Sequence, residues 1–159
     1  MIFKITCILG FIILAIYVIY VTYKDKELPI SISATIYSLD LKNKWLFTSM
    51  MAIVGLLIAP QLFEMMRSIG CEFLAFLTVA GIFGVAGHPL ISGEKNIMHY
   101  IFAMIIGISS QLIVFLINPW IMTSWIPYVI YTMYMENGKW NMLFSEIIMM
   151  IALLISCLI

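Results

Sequence analysis

Residues 2–23 read IFKITCILGFIILAIYVIYVTY, and the one charged residue in this stretch is Lys4. A helix that crosses a bilayer needs about 20 apolar residues, so this stretch has the length and composition of a transmembrane helix. Similar apolar runs follow it along the chain, and the loop from Lys24 to Lys44 is the longest connection between them. Hydrophobic residues make up 64% of the chain and charged residues 10%, against about 25% charged residues in a typical soluble domain. Lipid must therefore cover the apolar surface that folding leaves exposed, and the sequence predicts an integral membrane protein.

The apolar runs predict an all-α fold, a polytopic transmembrane helix bundle that forms one domain over residues 1–159. We expect helices because an irregular or strand segment in contact with lipid would leave backbone polar groups unpaired. Six spans are predicted, at residues 2–23, 45–66, 72–87, 96–117, 120–135 and 140–159. The number falls to five if residues 120–135 lie partly in the membrane interface.

Charge and motifs exclude several classes of function. Eight basic and eight acidic residues give a formal net charge of zero, so the chain has no general attraction to nucleic acid. The sequence contains no G-x-S-x-G nucleophile motif and no P-loop. Neither H-x-x-x-H nor H-E-x-x-H spacing occurs, and we predict no metal and no cofactor. Whether the protein is an enzyme stays open.

Several polar residues fall on the membrane face of the long loop, and four of them form the predicted polar pocket: Asp40, His88, His99 and Glu146. Glu146 follows Trp140 by six residues, which places it about 9 Å into the last span at 1.5 Å per residue. A carboxylate at that depth needs a partner or a proton, and His99 is the predicted partner. This pair could relay a proton or bind a headgroup. A hydrogen-bonded network with a purely structural role is the alternative.

Small residues support an inward orientation of both histidines. Small residues recur every four positions and form two stripes, each with a histidine at one end. The stripes are Ala80, Gly84 and His88 in the third span, and His99, Ala103 and Gly107 in the fourth. Membrane helices approach each other closely along such stripes. Packing through these stripes would turn the imidazole rings toward the interior of the bundle.

Two short motifs resemble a known family. The long loop contains Pro29, Ile30 and Ser31, and the fourth span begins with His99, which is followed four residues later by Ala103. These elements and the six-span layout resemble the family of the damage-regulated autophagy modulators and the FGF-receptor-activating protein. The resemblance implies a role in lipid remodelling of membrane-anchored proteins, phosphoinositide regulation or autophagy.

The orientation in the membrane has two opposing indications. Six of the eight basic residues lie on the long-loop face, and the positive-inside rule would place that face inside the cell. The family resemblance implies the opposite, with the first loop extracytoplasmic and both termini inside. We favour the orientation implied by the resemblance.

The sequence favours a multi-pass membrane protein that binds or remodels a membrane lipid through the polar pocket. The alternative is a non-enzymatic scaffold or assembly subunit whose polar residues contact a protein partner in the membrane. A small transporter ranks third, because the two halves of the chain show no internal similarity of the kind common in transporters.

Overall fold

Helices make up the regular secondary structure of this chain. The computed structural model describes residues 1–39, 43–91, 97–134 and 141–159, except for the side chains of residues 37–38 and 88–91. Within these ranges the α-helices are α1 (Ile2–Asp25), α2 (Lys44–Arg67), α3 (Glu72–Ile91), α4 (Ile97–Ile117), α5 (Ile126–Tyr134) and α6 (Asn141–Leu158). Among the described residues, 3-10 helices lie at Ser33–Ser38 and Pro119–Trp125. The all-α prediction is confirmed.

Within the described ranges, four helices, α1, α2, α4 and α6, are long and apolar enough to cross a membrane. In their most apolar windows only 22% to 39% of the residues are buried inside the protein, so most apolar side chains on these helices face outward. Soluble proteins seldom expose apolar patches of that extent. The part of α3 whose side chains are described, Glu72–Gly87, is apolar as well. These features are those of a membrane protein.

The predicted fifth span, residues 120–135, is divided in the structure. The helix α4 ends at Ile117, and the Asn118 side chain accepts a hydrogen bond from the backbone N–H of Trp120 at 3.1 Å. A 3-10 helix follows and then α5, which has nine residues and is about 14 Å long at 1.5 Å per residue. That length is about half the hydrocarbon thickness of a bilayer. Six spans therefore stay a prediction.

Five helices enclose the centre of the molecule. The helices α1 to α4 pack against one another in chain order, and α6 contacts both α4 and α1. We call α1, α2, α3, α4 and α6 the five-helix ring. The 3-10 helix Pro119–Trp125 packs on α4 and α6. This arrangement puts the middle of each ring helix next to one central space.

Small residues allow the closest helix contacts, as their spacing indicated. A Cβ atom placed on Gly81 would lie 3.2 Å from the backbone oxygen of Phe102, and one on Gly84 would meet the ring of that phenylalanine. Between the same helices, α3 and α4, the hydroxyl groups of Thr78 and Ser109 share a hydrogen bond of 2.7 Å. These contacts set the separation of α3 and α4.

Candidate functional site

A cavity of about 310 Å³ lies inside the five-helix ring. Each ring helix contributes lining residues from its middle turns: Leu14, Val54, Ile82, Ile106 and Leu153. The polar lining residues are Ser33, Thr78, Ser110, Ser145 and Glu146. Among the lining residues that the structure describes, Glu146 is the one ionisable residue. The site is therefore an apolar chamber with a single carboxyl group.

Glu146 lies near the long-loop end of α6 and is bound to the loop itself. Its Oε2 atom accepts a hydrogen bond of 2.5 Å from the backbone N–H of Ile32. Ile32 and Ser33 also line the cavity. The half-buried carboxyl group therefore has a backbone donor as a described partner, and its pairing with His99 stays a prediction.

Residues 29–36, here called the cap segment, line the cavity on the long-loop side through Ile32 and Ser33. The hydroxyl of Ser31 accepts a hydrogen bond from the backbone N–H of Ala34 at 2.9 Å. The cap segment is also bound to α1, because the hydroxyl groups of Tyr17 and Thr35 share a hydrogen bond of 2.9 Å. Both partners are buried. The segment is thus held by α1 on one side and by Glu146 of α6 on the other.

The hydroxyl and indole donors around the cavity are largely used inside the protein. Ser110 donates to the backbone oxygen of Gly107 at 3.2 Å, and Ser145 donates to that of Met142 at 2.8 Å. The indole N–H of Trp125, which lines the cavity, donates to Oε1 of Gln111 at 2.8 Å. The lone pairs on the two serine oxygens are still available to accept hydrogen bonds from a ligand. The described polar side chains of the lining therefore act mainly as acceptors.

Of the four predicted pocket residues, the structure describes the side chains of Glu146 and His99. Glu146 lines the cavity. His99 is 9% exposed, and its ring stands nearly perpendicular to that of Tyr100, with 6.0 Å between centroids. The side chain of His88 and all of Asp40 lie outside the described residues.

The lining on α4 begins at Ala103, one turn after His99. His99 and Ala103 therefore occupy one side of α4, as their spacing predicted, while the lining stops short of the imidazole. In the described ranges, no group of three or more His, Cys, Asp or Glu side chains is arranged to hold a metal ion.

The cap segment is the part of the site that sequence reasoning missed. Pro29, Ile30 and Ser31 entered only as part of a family resemblance. A signal was present, because residues 28–39 contain no charge although lysine and acidic residues flank them on both sides. An uncharged stretch inside a charged loop of a membrane protein indicates a segment that packs on the bundle.

Comparison with known proteins adds no relatives. No protein-family model, curated protein or solved structure matches this chain. The class of protein is therefore defined by the fold and the site: an all-helical protein with membrane-length helices around a capped apolar cavity.

Proposed function

We propose that the chain is a multi-pass integral membrane protein that binds a membrane lipid in the central cavity. In this proposal α1, α2, α3, α4 and α6 cross the bilayer, and residues 119–134 form a sixth, broken crossing. The lipid chain occupies the apolar part of the cavity, and its polar end lies at Glu146 beneath the cap segment. Binding is the core of the proposal, and remodelling of the bound lipid would be a reaction at the same place.

The cavity is the observation that carries this proposal. Ligand pockets have volumes of about 300 to 1,000 Å³ and are mostly apolar, with a few convergent polar groups. The cavity here has about 310 Å³ and one carboxyl group among apolar walls. Its lining residues come from the middle of helices that have membrane length, which is the depth of lipid acyl chains.

Filling the cavity should remove the lipid. Ala103 lines the cavity, whereas the next residue, Met104, is 63% exposed on the outer surface of the same helix. We expect Ala103→Phe to lower the amount of lipid per protein, after purification in mild detergent, by about tenfold, which corresponds to ~1.4 kcal/mol. Met104→Phe is the matched control and should retain the lipid of the wild type. Mass spectrometry of lipid extracted from each protein gives the measurement.

The same measurement separates lipid binding from the scaffold alternative. Equal lipid content in the two phenylalanine variants would contradict the proposal. A stable complex with another membrane protein, extracted without lipid in the cavity, would favour the scaffold.

His99 stays in the proposal as a headgroup-binding or proton-active residue. It is buried one turn before the cavity lining begins. We expect His99→Ala to lose bound lipid while the protein remains folded. Ile101→Ala, at a position 41% exposed on the same helix, is the control. A His99→Ala protein with the full lipid content would remove the histidine from the site.

A further inference from the structure

We infer that the cavity selects a single-chain lipid whose polar end donates hydrogen bonds and carries no negative charge. This inference rests on the proposed lipid binding and adds the chemical class of the ligand. Three features of the described residues carry it: the volume of the cavity, the hydrogen-bonding character of its lining and the position of Glu146.

The volume fits one chain. An apolar protein cavity of about 150 Å³ holds one benzene molecule, which has six carbon atoms. The cavity here has about 310 Å³, which is room for roughly twelve carbon atoms by the same comparison. A lipid with two long chains would have to leave most of its carbon atoms outside. One chain, or part of one, fills the space.

The lining offers acceptors to the ligand. The side-chain donors of Ser110, Ser145 and Trp125 are already bound to acceptors in the protein. No lysine, arginine or histidine is among the described lining residues. The amide nitrogen of Gln111 is buried without a hydrogen-bond partner, but Gln111 is not among the lining residues either. A ligand in the cavity therefore gains hydrogen bonds chiefly by donating them.

Glu146 opposes an anionic head. In its ionised form, the Glu146 carboxyl group repels a second negative charge in a low-dielectric site, and a buried polar group without a partner is costly. The backbone N–H of Ile32 occupies one oxygen of this carboxylate. The other oxygen can accept from a hydroxyl or an ammonium group. A phosphate or a carboxylate head would place acceptors against acceptors.

The test uses four probes with one common chain: oleyl alcohol, oleylamine, oleate and oleyl phosphate. Each is added to the detergent-purified protein, and retained probe is counted by native mass spectrometry. We expect the alcohol and the amine to bind about tenfold more tightly than the two anions, a difference of ~1.4 kcal/mol. The Ala103→Phe protein, measured in parallel, corrects for probe in the micelle.

A charge-neutral variant tests the role of the carboxylate. Glu146→Gln keeps the shape and one carbonyl oxygen but removes the negative charge, so the discrimination against oleate should fall by about tenfold. Glu64→Gln is the control, because Glu64 is an exposed acidic residue of α2. It should leave the order of the probes unchanged.

The outcomes separate the inference from the proposed function. Oleate or oleyl phosphate binding as tightly as the alcohol would overturn the inference and leave lipid binding intact. The inference is also overturned, and lipid binding left intact, if no probe binds while Ala103→Phe still displaces an endogenous lipid. If no probe binds and Ala103→Phe has no effect, both the inference and the proposed function fail.

Discussion

A methyl group added to Gly84 would force α3 and α4 apart. A Cβ atom at this position would lie within 2.7 Å of three ring atoms of Phe102. The ring belongs to a residue packed against the buried core, so it has little room to turn away. Extra carbon atoms in a well-packed interior usually cost about 1 to 3 kcal/mol. We expect Gly84→Ala to lose free energy of unfolding in that range.

The assay for this prediction is thermal unfolding in detergent, with Gly87→Ala as the matched control. A Cβ atom on Gly87, one turn further along α3, meets no atom of the described residues within 4 Å. For a chain of this size ~1 kcal/mol corresponds to about 2 to 4 °C in Tm. The Gly84 variant should therefore melt roughly 2 to 12 °C below the wild type, and the Gly87 variant should not.

A second substitution checks the cause. Phe102→Leu removes the flat ring that the new methyl group meets, so the double variant Gly84→Ala, Phe102→Leu should be more stable than additive single changes predict. Equal melting temperatures for Gly84→Ala and Gly87→Ala would refute the close packing of α3 and α4 described here.

Two further predictions concern the attachments of α1. Tyr17→Phe removes the hydroxyl that binds the cap segment and should cost about 0.5 to 1.5 kcal/mol, seen as faster hydrogen exchange in residues 29–36. Tyr20→Phe, at a position 48% exposed, should leave that exchange unchanged, and equal rates in both variants would contradict the attachment. Cys7 and Cys157 are buried free cysteines whose thiols lie near each other, so copper phenanthroline should join α1 to α6 through them, as peptide mapping would show. Replacing Cys71 by serine should not prevent the crosslink, and its absence from the wild type would contradict the contact of α1 with α6.

The helix positions were largely predictable because they depend on local composition. The predicted second span, residues 45–66, corresponds to α2 at Lys44–Arg67, and the predicted fourth span, 96–117, to α4 at Ile97–Ile117. The predicted fourth and fifth spans are separated at residues 118–119, where α4 ends just before Pro119, a residue that lacks a backbone donor. The division of residues 119–134 into a 3-10 helix and a short α-helix was not predicted, because apolar composition does not distinguish these two helix types.

The candidate site was predictable only in part. Glu146 was selected because a carboxyl group within an apolar helix is costly and needs a partner. The hydrogen bond from the backbone N–H of Ile32 was not predicted, since side chains are visible in a sequence and backbone donors are not, and the pairing with His99 stays a prediction. The placement of Asp40 and of the His88 side chain, and with it the complete pocket, stays a prediction.

The sequence by itself determined that the chain forms apolar helices of membrane length and that one of them carries a buried carboxyl group. These properties follow from the order of side chains along the chain, which each helix expresses independently of the others. Only the tertiary structure decided that α6 returns to α1 and α4, that a cavity remains between the helices, and that the cap segment lines it on the long-loop side. The hydrogen bond between Ile32 and Glu146 joins residues 114 positions apart. Such a pairing depends on how helices pack in three dimensions, and no local pattern of residues specifies it.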